Sequence, residues 1–172
     1  MRCFILLLTF VFLSSCGGEK DKNETVDWNQ KKSTDFNKEL AIEQELQIKM
    51  YLEQRKSWNM IKTGSGLQYY IYEKGEGDNA VAGFIAQVET EISLLDGTQC
   101  YMTAKDEMEE FVIDKSDIES GVQEGIKKMR VGDKAKLIIP SHLAHGLTGD
   151  MEKIPPLAVI VVDIHLIGLV EK

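Results

Sequence analysis

Residues 84–93 alternate without a break. Phe84, Ala86, Val88, Thr90 and Ile92 fall on one side, and Ile85, Gln87, Glu89, Glu91 and Ser93 on the other. Successive side chains of a β-strand point to opposite faces, so this run predicts a strand with one face buried. Asp96-Gly97 follows directly, a dipeptide that favours the tight turn of a hairpin. Residues 98–102 then read as the returning strand. A half-buried antiparallel sheet has to cover its apolar face with a second layer. The remaining chain must supply that cover.

The neighbouring segments fit the demand. Thr63-Gly64-Ser65-Gly66 is a breaker cluster, and residues 67–73 (LQYYIYE) form an aromatic and β-branched strand. A charged loop over 104–110 leads to a short strand over 111–113. Residues 117–129 read as a short helix with Val122, Ile126 and Met129 on one face. After the turn Val131-Gly132-Asp133, residues 134–139 form a strand and 140–156 a loop. A long strand over 157–169 carries Ile160, Val162, Ile164 and Leu166 on one face. The sum is an α+β fold: an antiparallel sheet covered by one short α-helix.

Ahead of it, residues 34–56, in an N-terminal unit of 34–60, contain no Gly or Pro and read as a helix. Leu40, Ile42, Leu46, Met50 and Leu52 recur at roughly helical spacing, and Glu45 pairs with Lys49 at i,i+4. Two roles stay open for this helix. It packs on its own domain, or it serves as a spacer or dimerisation helix.

Residues 1–15 read as an address. Arg2 precedes the apolar run 4–13, which is too short to span a bilayer. Leu13-Ser14-Ser15-Cys16 resembles the bacterial lipobox, in which the cysteine receives the lipid. Residues 16–33 are polar, mixed in charge and fit a flexible tether. This places the protein on a lipid anchor at Cys16 in the bacterial cell envelope. With no Asp after Cys16 to retain it at the inner membrane, the outer membrane is expected, facing the periplasm or the cell surface. The chain has 20 Lys and Arg against 28 Asp and Glu, net −8, and loss of Arg2 on cleavage makes it −9. Such a chain repels phosphate backbones, so nucleic acid is not an expected partner.

From residue 63 to 169 the chain resembles an FKBP-type peptidyl-prolyl cis-trans isomerase. The resemblance rests on Ser65-Gly66-Leu67-Gln68-Tyr69, Leu95-Asp96-Gly97-Thr98, Ser120-Gly121-Val122-Gln123-Glu124-Gly125, Val131-Gly132-Asp133-Lys134-Ala135, Leu143-Ala144-His145-Gly146, and Ile154-Pro155-Pro156 leading to Val162-Asp163-Ile164. With the lipobox and N-terminal helix, the whole chain is similar to gliding-motility-associated FKBP-type lipoproteins. The resemblance implies a twisted sheet wrapped on the short helix, over residues 63–172. It implies rotation about the peptide bond before proline, with proline-containing or unfolded protein segments as partners. No bond is broken in that reaction, so no metal or cofactor is expected.

The family's pocket positions carry over one at a time. The early-strand tyrosine falls on Thr90, and the Phe-Asp pair after the hairpin on Cys100-Tyr101, or, with a one-residue slip, Tyr101 fills the phenylalanine place. The Val-Ile pair before the helix falls on Ile118-Glu119, and the floor tryptophan on Val122. The tyrosine that donates a hydrogen bond to the ligand falls on His145, and the loop histidine on Asp150. Ile154 is kept, the last-strand phenylalanine falls on Val162, and Phe111 remains a core aromatic. A pocket that has lost these aromatics is expected to be apolar, wider and weakly active. Two functions follow: an isomerase assisting protein folding in the envelope, or a non-catalytic FKBP-fold chaperone or binding module.

Other motifs carry less. His142, His145 and Asp150 are too few for a metal site. Gly75-Glu76-Gly77-Asp78-Asn79-Ala80 has acids where a phosphate would sit. Cys100 reads as a small hydrophobe, His165 as a surface residue, and Met151 as a residue of the pocket mouth.

Overall fold

The computed structural model describes residues 30–171. The signal segment, Cys16 and residues 16–29 of the tether lie outside the described residues. The alternating run folds as strand β3 (Ile85–Leu94). It pairs along its whole length with the last strand, β7 (Ile160–Val170), so that Ile85 faces Val170 and Leu94 faces Ile160. On the far edge of β3, strands β4 (Gln99–Met102) and β5 (Glu109–Val112) pair one after the other. On the far edge of β7 come β6 (Lys134–Ile139), β2 (Gln68–Glu73) and the two-residue β1 (Ile61–Lys62). Every pairing is antiparallel.

Helix α2 (Ser120–Ile126) covers one face. Its Val122 and Ile126, with Met129 just beyond, share a buried core with Ala86, Val88, Leu137, Val162 and Ile164. The expected helix over 117–129 is shortened at both ends. Before it, the Gln123 side chain accepts the Asp114 N–H and Ser116 Oγ accepts the Val112 N–H, which fixes the preceding chain in turns. After it, the N–H groups of Lys128 and Met129 reach back only three residues, to Gly125 and Ile126.

Helix α1 (Gln30–Glu53) covers part of the opposite face. Its Ile48 is buried with Ile138, Val159 and Val161, side chains that alternation would have left in water. The helix therefore packs on its own domain. Its expected bounds are corrected. The helix starts before residue 34, where Thr34 Oγ1 donates back to the Gln30 carbonyl at 2.8 Å. It stops before residue 56, where Arg55 turns to donate to the Tyr51 carbonyl at 3.0 Å and lies over the Tyr51 ring. The inward face is also different: Gln44 and Ile48 are buried, whereas Ile42, Leu46 and Met50 of the expected stripe are exposed. The terminal strand begins at Ile160 rather than at 157, because Leu157 holds a φ of 61° and gives its N–H to the Gly146 carbonyl.

Two glycines let α2 lie against β6. A Cβ at Gly121 would sit 2.3 Å from Ile139 Cγ2, and one at Gly125 would sit 2.6 Å from Leu137 Cδ1. A seven-residue helix holding two glycines is weak alone and depends on this packing. Gly121→Ala should destabilise the protein by about 1–3 kcal/mol through overpacking, although alanine favours helix by about 1 kcal/mol. Urea unfolding of wild type and variant would measure it; a variant more stable than wild type would contradict the close approach.

Candidate functional site

Ile139 pairs with Ile160, so the end of β6 and the start of β7 are neighbours that a short hairpin could join. The chain instead makes an excursion over residues 140–159. Long excursions in a compact domain are usually functional. This one opens with a single 3-10 turn, Ser141–Leu143, and carries His145, Asp150 and Ile154.

The excursion is stiffly built. Leu157 N–H meets the Gly146 carbonyl at 2.9 Å, and Asp150 N–H meets the Ile154 carbonyl at 3.1 Å. Asp150 Oδ1 accepts the N–H groups of Glu152, Lys153 and Ile154 at 2.8–2.9 Å. Gly149 holds a φ of 68°, and a Cβ there would lie 2.2 Å from the Ile154 carbonyl oxygen. That position needs glycine on both counts.

Two pairs of expected site residues meet. The Tyr101 hydroxyl, on β4, donates to Asp150 Oδ2 in a short hydrogen bond. Lys153 Nζ lies 4.6 Å from the centre of the Tyr101 ring. His145 Nε2 lies 2.8 Å from Oε1 of Glu119, the residue that precedes α2. Nε2 is enclosed by protein and off the line of a hydrogen bond, so the contact is one of proximity only. The part of His145 left to solvent lies away from Nε2.

The apolar members sit deeper. Val122, Ile154 and Val162 are 5%, 2% and 0% exposed and belong to the core. Above them Tyr101, Ile118, Leu143 and Ala144 are half-buried against the same cluster. The wider cavity expected from the missing aromatics is not open at Val162, because the core has closed over it. Phe111 is buried in the core beside Ala86. Cys100 is buried, its Sγ 3.6 Å from the Lys153 carbonyl, and burial pushes its thiol up in pKa. Thr90 is engaged with other partners: its N–H donates to Thr103 Oγ1, and its hydroxyl to Glu109. Met151 is exposed, at a φ of 64°, beside a concavity of about 230 Å³ formed with Pro155 and Pro156. His142 turns to the Ser65 carbonyl at 3.0 Å, away from His145 and Glu119. The sequence reading missed Lys153 over Tyr101, and it missed Gln44, a polar residue inside an apolar face. Counting Gln44 as inward with Ile48 and Leu52 would have marked that face.

The hydrogen bonds set two titrations. The Asp150 hydrogen bond first, then burial and the nearby carboxylates, push the Tyr101 hydroxyl up to about 12. For Asp150, desolvation acts upward, but the Tyr101 hydroxyl and the three amides together hold it well below the usual carboxylate range. The tyrosine therefore contributes stability fully below its unfolded value of about 10, and this is lost as pH rises through about 12. The aspartate contributes stability above its unfolded value of about 3.9, lost as pH falls below it. Tyr101→Phe should lessen the alkaline loss seen by thermal unfolding between about pH 9 and 12, the Tyr72 hydroxyl, raised by burial and its Asp163 hydrogen bond, keeping the rest; an unchanged alkaline limb would refute the pairing.

The chain matches the family model for the FKBP-type peptidyl-prolyl cis-trans isomerase over residues 77–167. It is 36% identical over 107 residues to the probable FKBP-type peptidyl-prolyl cis-trans isomerase FkpA of Neisseria meningitidis serogroup B, covering 62% of this chain and 39% of the relative. It is 33% identical over 130 residues to FkpA of Aeromonas hydrophila, covering 75% and 48%. The crystal structure of FkpA from Escherichia coli superposes with a TM-score of 0.66 at 26% identity, covering 81% of this chain and 64% of that one. That of AtFKBP13 superposes with a TM-score of 0.60 at 28% identity, covering 64% and 98%. The chain spans about half the length, or less, of the curated FkpA relatives it matches.

Proposed function

Because the chain belongs to the FKBP-type peptidyl-prolyl cis-trans isomerase family, we propose that it catalyses, weakly, rotation about the peptide bond before proline. The observation that supports this reading is the meeting of residues from separate family motifs: His145 with Glu119, and Tyr101 with Asp150. The barrier to rotation is about 18–20 kcal/mol because the planar amide is stabilised by resonance. The twisted transition state loses that resonance and part of the carbonyl dipole. An apolar surface therefore disfavours the planar state more than the twisted one, which is differential binding in the productive direction.

In this chain the prolyl ring rests on the half-buried surface of Tyr101, Ile118, Leu143 and Ala144, with Val122, Ile154 and Val162 forming the packed layer below. Tyr101 is held by Asp150, and His145 by Glu119, so both rings are fixed beside the substrate, His145 through the part of its ring away from the enclosed Nε2. The closed floor gives a shallow contact and hence a small rate enhancement. The enclosed Nε2 of His145 favours a second reading, a binding module for proline-containing or unfolded segments without catalysis.

A protease-coupled assay on an X-Pro peptide separates the two. The isomerase reading expects acceleration over the uncatalysed rate, and His145→Leu should lower kcat/KM about tenfold, equivalent to ~1.4 kcal/mol. Peptide binding without acceleration would select the binding module, and neither would remove the site. Val122→Trp should overpack the core instead of deepening the site.

The same reading places the domain on a lipid anchor at Cys16 in the bacterial cell envelope, where each buried lipid methylene contributes ~0.8 kcal/mol. It would act there on unfolded protein segments. Cys16→Ser should move the protein from the membrane pellet to the soluble fraction; retention of the variant after a carbonate wash would end the lipoprotein reading.

A further inference from the structure

A closed ring of hydrogen bonds grips both ends of the site loop, and one of its members comes from outside the segment matched by the family. Gln44, in the middle of α1, is 3% exposed. Its Oε1 accepts the backbone N–H of Ser141 at 3.1 Å. Its Nε2 donates to Ser141 Oγ at 2.7 Å and to the Leu157 carbonyl at 3.0 Å. The Ser141 carbonyl accepts the N–H groups of Ala144 at 3.0 Å and Gly146 at 2.8 Å, and the Gly146 carbonyl accepts the Leu157 N–H at 2.9 Å. The circuit runs Gln44, Ser141, Gly146, Leu157 and back to Gln44. His145 lies within it.

We propose that Gln44 is a positioning residue for the site, so that α1 sets where the loop holds His145 and Ile154. The proposal rests on reading this loop as the isomerase site. Docking α1 on Ile138, Val159 and Val161 requires only apolar side chains, and Ile48 supplies that contact. An amide at position 44 does something an apolar side chain cannot. It both donates and accepts, and so satisfies the Ser141 N–H and the Leu157 carbonyl together. Leu157 needs that support, since a leucine rarely holds a φ of 61°. Small displacements of a group over the reacting bond cost rate steeply, so a loop fixed at both ends matters to catalysis.

The test uses the full chain with Gln44→Met, which keeps length and helix propensity and removes only the amide. Amide hydrogen exchange should quicken at least tenfold at Ala144, Gly146 and Leu157, while Leu137 and Val162 in the sheet stay unchanged. The kcat/KM for an X-Pro peptide should fall about tenfold, mainly in kcat. Ser141→Ala removes only the bond from Gln44 Nε2 to Ser141 Oγ, leaves the rest of the ring, and should give the same pattern more weakly, with the double variant no worse than Gln44→Met alone. If Gln44→Met does not fold, Ser141→Ala carries the same comparison. Exchange that rises equally in loop and sheet would show that Gln44 serves stability alone and would overturn the proposal, as would no change in either. A wild-type protein without isomerase activity would fail the isomerase reading, while the exchange pattern would still decide the positioning.

Discussion

The pairing of β3 with β7 carries the rest of the molecule. Ten residues of one strand lie against the last strand of the chain, from Ile85 opposite Val170 to Leu94 opposite Ile160. Each strand has one edge left, and every other strand is added to those edges. The ladder also aligns Ala86 and Val88 with Leu169 and Leu166, residues of the apolar cluster that α2 packs on. Contacts between residues so far apart in sequence are costly in loop entropy, and burial on both faces has to outweigh that cost.

The two faces are covered by different means. On the inner face, Gly121 and Gly125 bring the α2 backbone onto Ile139 and Leu137. On the outer face, α1 meets Ile138 and Val161 through Ile48, and beyond the helix the face carries ion pairs, with Lys136 paired to Asp163. The β6 strand shows the consequence in its own sequence. Lys134 and Lys136 face water, whereas Ile138, next in the same alternation, lies under α1.

Much of the sheet was legible because its signals are local. Alternation from 84 to 93, Asp96-Gly97, and Ile160 to Leu166 each state their face directly. The ends of elements were less legible, since they depend on distant partners: Gln123 stops the chain before α2, and Gly146 delays β7. The site divided in the same way. Motif positions located Tyr101, Glu119, His145 and Asp150 but not which would pair. Thr90 was placed with the site by strand position, yet its hydrogen bonds run to Thr103 and Glu109. The inward face of α1 was misread because hydropathy ranks Gln44 as a surface residue, and only the folded loop supplies the groups that make its burial favourable.

The loop over the site holds Gly146, Gly149, Met151 and Leu157 at positive φ and fastens its interior to the Asp150 carboxylate. A backbone tied in this way has few other shapes to visit. It is no lid: it does not fold down over an arriving chain and then lift to release it. A receptor of this kind takes the visitor in a conformation the visitor already samples. Unfolded chains hold roughly 10–30% of their X-Pro bonds in the cis form, so under the proposed function both isomers would be sampled without any gating motion. Under the same proposal, residence at the site would be governed by the bound segment's own flexibility and by diffusion away from the surface.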